Sequence, residues 1–151
     1  MCVYGGTSAA VTAARAAAKE GKKVVVICPD TVLGGMTTGG LGQTDIGNKS
    51  AFGGIALEFY RDVAKWYADP SHWKWQKSED YFPDGQCAGS KSGGSMWTFE
   101  PSAALAILEG WEKRDGLDIR RGARGDVDVR HRQFRVLGVV AGHEICLLSD
   151  V

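Results

Sequence analysis

CVYGGTSAAVTAARAAAKEGKKVVVIC, residues 2–28, holds the local signals from which the architecture follows. Residues 2–6 read as a short buried strand running into a glycine turn. SAAVTAARAAAKEG follows as a helix: alanine is the strongest helix former, Ser8 lies near the start, and Gly21 stands at the C-terminal stop. KKVVVIC, residues 22–28, is a β-branched run suited to a parallel strand covered on both faces, and Pro29 and Asp30 end it. A strand, a helix and a parallel strand in so few residues make one right-handed βαβ unit. The expected class is therefore α/β.

Within that unit, YGGTSAA sets Gly5 at the first position of a G-x-G-x-x-G/A turn, Thr7 at the second and Ala10 at the third. Such a turn aims the first amides of the helix at a pyrophosphate, and the helix dipole favours the negative charge. A packing turn without a ligand has the same pattern, so at this level both readings stay open.

A second glycine run decides more. GGMTTGGLGQTDIG, residues 34–47, holds six glycines in fourteen positions. Glycine loses the most backbone freedom on ordering, so a dense run is either a linker or a place where backbone closely approaches something. A linker calls for polar filler, whereas here Met36, Thr37, Thr38 and Leu41 occupy the gaps and suit a ligand wall.

Further on, GGIALEFYRDVAKWY carries Ile55, Phe59, Val63 and Tyr67 at intervals of four, a helical stripe toward a core. Residues 69–98 show no period. They read as an irregular insertion anchored by Trp73 and Trp75, either a lid or substrate wall or a surface excursion. WTFEP opens another helix with Pro101 in its first turn and Leu105, Leu108 and Trp111 as its apolar line up to Gly116. Residues 117–121 suggest a third strand, and the remainder alternates as two or three antiparallel strands.

The totals fit one domain over 1–151, with 44% hydrophobic and 24% charged residues, formal net charge zero and a pI near 6.8. No global field recruits nucleic acid or membrane, and the basic stretch at 112–135 has acids interleaved throughout, as a solvated face does. Cys2, Cys28, Cys87 and Cys146 are scattered and form no zinc pattern, so no metal is expected. No basic-plus-apolar leader and no apolar run near the ~18 residues of a transmembrane helix is present, and a reducing, cytoplasmic setting is the expectation.

YGGTSAA, VVVICPDTVLGGMTTGGLGQTDIGN, GGIALEFYR and WTFEP together resemble the N-terminal part of the FAD-dependent oxidoreductases that have a glutathione-reductase-like flavin domain. The hydrophobe-Gly-Gly-Met-Thr-Thr-Gly-Gly-Leu-Gly pattern is matched at Leu33 to Gly42. The likeness is close from Val3 to Asn48 and thinner to Gly122. It implies a Rossmann-like FAD-binding domain with a parallel sheet, flanking helices and a C-terminal antiparallel β-meander, incomplete relative to the family. It implies that Gly5, Gly6, Thr7 and Ser8 face the pyrophosphate. Gly34, Gly35, Met36 and Thr37 would wrap FAD toward the flavin, and Thr38, Gly40 and Leu41 would border it. It also puts Cys28 where the family has an acid for the ribose hydroxyls, with Asp30 two residues on, and Ser102 where the family often has histidine.

The chemistry this resemblance implies is hydride or electron transfer, with the substrate unidentified. Family members are several times longer, so a second chain or a further domain is expected to complete the fold. Two alternatives stay open, a truncated chain without activity of its own and an NAD-binding module, the latter giving GGMTTGGLG no role. No catalytic acid or base is nameable: His72, His131 and His143 are isolated, and Asp45, Asn48 and Lys49 suit a loop surface as well as a substrate contact.

Overall fold

The computed structural model describes residues 1–42, 44, 48–81, 94–130, 133–140 and 143–148; the side chains of residues 124–151 are not described. Residues 82–93 of the 69–98 insertion, Cys87 and the PDG sequence at 83–85 among them, lie outside these residues, as do Asp45 and His131. The chain divides into two compact units, Met1–Gly35 with Leu108–Val151, and Met36–Ile107.

In the first unit, strands β1 (Cys2–Tyr4), β2 (Val25–Cys28) and β3 (Asp118–Arg121) form a parallel sheet in the order β1-β2-β3. Cys2 pairs with Val25, and Val25 in turn with Asp118. Helix α1 (Ser8–Lys19) connects β1 to β2. Its alanines explain how it sits on the sheet. Ala14 is fully buried and packs with Val26 and Leu117, while Val3, Ala18, Val24 and Ile119 surround them. A larger residue at Ala14 would hold the helix off the strands.

Ser8 opens the helix as expected, and Thr7 caps it, its hydroxyl accepting the Ala10 amide at 3.3 Å. Two expectations shift. The second strand starts at Val25, not Lys22. The Lys22 and Gly21 amides donate to the Ala17 and Ala18 carbonyls, closing the helix in a Schellman motif before the strand can begin. The first strand is only half-covered, since β1 is a sheet edge and Tyr4 is 49% exposed.

Helix α3 spans Pro101–Asp115, its residues 108–115 belonging to the first unit. Leu108 and Trp111 are buried as expected, but Leu105 is only partly so, and Ala104 and Ile107 take its place on the buried line. Arg15, 3% exposed, joins α1 to α3: its Nε donates to Asp115 Oδ2 at 2.6 Å and its guanidinium lies 3.9 Å from the centre of the Trp111 ring. Arg121 forks onto Glu112, tying β3 to the same helix. Strands β4 (Arg124–Arg130), β5 (Gln133–Val140) and β6 (His143–Leu148) form a separate antiparallel sheet, with Arg124 opposite Val139 and Arg135 opposite Leu148.

The second unit is built on helix α2 (Gly54–Trp66), whose buried residues Phe59, Val63 and Ala64, followed by Tyr67, form the expected stripe; Ile55 is only partly covered. Rings supply the rest. Trp97 packs against Phe52 and Tyr60 at 5.2 and 4.3 Å, and Phe59 meets Phe99 edge-on at 5.3 Å. Backbone bonds from Met96 to Tyr60 and from Phe99 to Gly42 hold residues 96–99 in place.

Candidate cofactor site

The two glycine motifs of the sequence meet in the first unit. Gly5 turns the chain out of β1 at φ +126°, and its amide donates to the Ile27 carbonyl at 2.9 Å. Gly6 lies over the end of β2 so closely that a Cβ there would fall 2.2 Å from the Cys28 sulfur. From the second motif, the Gly34 amide donates to the Gly6 carbonyl at 2.6 Å, and Gly34 pairs with Thr7 in a parallel bridge. Gly35 follows at φ +55°, where a Cβ would press on Thr7 Cγ2 at 3.3 Å. Segments far apart in sequence thus form one backbone surface beside the N-terminus of α1. Thr7 Oγ1 takes the Ala10 amide and caps the start of the helix. That arrangement suits an anionic group, because peptide amides and the helix dipole converge on it.

Cys28 is placed differently from the ribose contact expected of it. It is fully buried, its thiol donating to the Asp30 carbonyl at 3.1 Å under Gly6, so it offers no surface to a ligand. The Asp30 carbonyl also accepts the Gly122 amide, and the Cys28 carbonyl accepts that of Ala123, fixing the exit of β2. The exposed Asp30 carboxylate has no partner among the described residues.

The remaining loop residues belong to the second unit. The Gly39 and Leu41 amides both donate to the Met36 carbonyl, making a tight turn that leaves Met36 75% and Leu41 62% exposed. Thr37 and Thr38 are partly covered in this turn, and Gly40 has φ +136°. Gly42 has a packing role instead: a Cβ on it would lie 2.0 Å from the Phe99 carbonyl oxygen.

The second unit also holds a cavity of about 300 Å³ that no sequence motif marks. Its walls include Tyr67, Trp73, Tyr81 and Glu100. The Tyr67 hydroxyl donates to Glu100 Oε2 at 3.2 Å and accepts the Glu100 amide at 2.9 Å. Burial, reinforced by the Glu100 carboxylate, pushes the Tyr67 phenol up to about 12. His72 is held by stacking on Trp66 at 3.7 Å and by its Nδ1 at the Trp66 carbonyl. Asn48 caps a short turn through Ser50 and is spent on structure. Among the described residues no group of three or more His, Cys, Asp or Glu is placed to hold a metal, and no helix is long and apolar enough to cross a membrane.

The family model described as FAD dependent oxidoreductase matches residues 1–145. The chain belongs to the FAD dependent oxidoreductase family. FAD is accordingly the cofactor of this flavoprotein chain. Among solved structures, it is similar to BexE, studied for oxidation during BE-7585A biosynthesis, at 22% identity and TM-score 0.54 over 97% of this chain. It is similar also to CabE, an aromatic hydroxylase from angucycline biosynthesis, at 16% identity and TM-score 0.51 over 97% of this chain. The myxobacterial chondrochloren halogenase CndH, a variant of FAD-dependent halogenases, matches at 14% identity and TM-score 0.51 over 98%. At these identities the likeness is one of fold. The flavoprotein chain spans 29% of BexE, 28% of CabE and 35% of CndH. No curated protein matches it. Its mixed α/β architecture, a three-stranded parallel sheet with helices, is that of a Rossmann-like FAD domain.

Proposed function

We propose that this chain is the FAD-binding portion of an oxidoreductase that moves a hydride or electrons to or from a small substrate. In this reading residues 1–151 make one flavin domain, the strands after residue 123 serve as its β-meander, and a further domain or a second chain completes the enzyme. Gly5, Gly6, Thr7 and Ser8 receive the pyrophosphate at the N-terminus of α1, and Gly34 and Gly35 line its other side. Met36, Thr37, Thr38, Gly40 and Leu41 border the flavin, where exposed apolar side chains keep water from a ring. FAD supplies the redox chemistry when bound, and the chain's residues orient it and shield it.

The observation that carries the reading is the 2.6 Å bond from the Gly34 amide to the Gly6 carbonyl, which joins the two glycine motifs. For the ribose, Asp30 replaces Cys28 in the proposal. A carboxylate accepts hydroxyl protons well, and Asp30 is exposed, whereas the thiol is buried. The test is the absorbance spectrum of the purified 151-residue chain after incubation with FAD and removal of free flavin. Bound flavin bands that are released by denaturation support the proposal. A chain that stays colourless with excess FAD contradicts it.

A further inference from the structure

We propose that the cavity of the second unit binds a neutral, polyhydroxylated ring such as a sugar or a cyclitol, stacked on its tryptophans. This inference stands on residues of that unit alone and is independent of the flavin reading.

The stacking wall is built in advance. The Trp73 indole N–H donates to the Tyr67 carbonyl at 2.8 Å, and the Trp73 ring lies 5.1 Å from Tyr67 and 5.4 Å from Tyr81. It is therefore fixed before any ligand arrives, and little entropy is lost there on binding. Trp75, also on the cavity wall, is 87% exposed. An indole held in water beside a fixed aromatic wall has a large apolar face without a partner, and a ligand ring supplies one.

The polar groups select the kind of ring. One oxygen of the Glu100 carboxylate takes the Tyr67 hydroxyl, and the other has no partner among the described residues. Lys74 and Gln76 line the cavity and are exposed, and neither has a partner among the described residues. The set therefore offers a negative acceptor, a positive donor and an amide that does both. A quaternary ammonium ligand satisfies none of the donors and meets Lys74 as a like charge. An anion meets Glu100 in the same way. A bare aromatic leaves all three polar groups without a bond. Ring hydroxyls donate and accept at once, and the C–H faces of a saturated ring carry the slight positive charge that an indole face attracts. A volume of about 300 Å³ is at the small end for ligand cavities, which fits one ring rather than a chain of them.

The experiment is saturation-transfer difference NMR on the full chain with methyl β-glucoside, methyl α-mannoside and myo-inositol, and with choline and p-cresol as competing classes. At least one polyol should bind with millimolar affinity. Trp75→Ala, which removes an exposed side chain and leaves the fold intact, should weaken it about tenfold or more. Glu100→Gln keeps the shape and an acceptor for Tyr67 but loses the charge, and should weaken binding by a smaller factor. Binding of no polyol, polyol binding that Trp75→Ala leaves unchanged, or binding of choline or p-cresol in place of the polyols would overturn the proposal.

Discussion

The two sites are made of different material. The glycine surface of the first unit is backbone: amides, a carbonyl and a helix end, brought together because Gly6, Gly34 and Gly35 carry no side chain. The cavity of the second unit is side chain: rings from Tyr67, Trp73 and Tyr81, locked by hydrogen bonds to Glu100, Thr98 and a backbone carbonyl. A backbone site tolerates almost no added atom, while a side-chain site tolerates conservative exchange and loses function gradually. Substitutions in the two units should therefore fail in different ways.

The largest expected effect tests the frame under the glycine surface. Asp115→Ala leaves the buried Arg15 guanidinium without its nearest anion, and unfolding in urea should show a loss of about 3 kcal/mol. Replacing Arg15 and Asp115 together by Met and Leu should recover much of that, because an apolar pair does not leave a charge stranded. Next comes the contact of Gly6 with Cys28. Gly6→Ala puts a methyl 2.2 Å from the thiol sulfur, an overpacking that should cost about 1–3 kcal/mol. Cys28→Ala in the same chain removes the obstacle, so the double variant should be more stable than Gly6→Ala alone. Simple additivity of the two changes would show that the turn relaxes around the methyl and that the backbone surface is softer than described.

The same contrast decides which parts are legible in the sequence. The β1–α1–β2 unit is legible because its signals are local: alanines, a cap, a glycine stop and a β-branched run all lie within one stretch. The glycine motifs are legible for a related reason, since close backbone approach demands glycine in place of any other residue. The resemblance puts Cys28 at the ribose position, but a place at the end of a strand says nothing of which way the side chain turns, and the thiol is buried under Gly6. Leu105 is misplaced by about one helical position, as Ala104 and Ile107 take the buried line and small alanines give hydrophobicity patterns little contrast. The cavity is legible only in part: the aperiodic stretch 69–98, read as a lid or substrate wall or a surface excursion, supplies Trp73, Trp75 and Tyr81, but no spacing rule links it to Gly42, Tyr67 or Glu100.

Smaller effects sharpen the second unit. Tyr67→Phe removes a hydroxyl that both donates to and accepts from Glu100, a change of about 1 kcal/mol. It should also change the alkaline limit. The folded phenol sits at about 12, while an exposed tyrosine ionises near 10. The unfolded chain therefore loses its proton first. The contribution of Tyr67 is complete below about pH 10 and is lost as the pH rises through about 12. Urea midpoints measured at about pH 9 and about pH 11 should converge more closely in Tyr67→Phe than in the parent. Trp75→Ala should be the mildest change, within about 0.5 kcal/mol in stability, since the side chain is 87% exposed.

Whether the joined glycine motifs hold FAD is decided by a titration of FAD into the parent chain and Gly35→Val. A β-branched residue is disfavoured at φ +55°, and its Cβ would press on Thr7 at 3.3 Å. Saturable binding of a single FAD by the parent, lost in Gly35→Val while the far-ultraviolet circular dichroism is unchanged, is the predicted result. Equal affinity and stoichiometry in the two chains would contradict it.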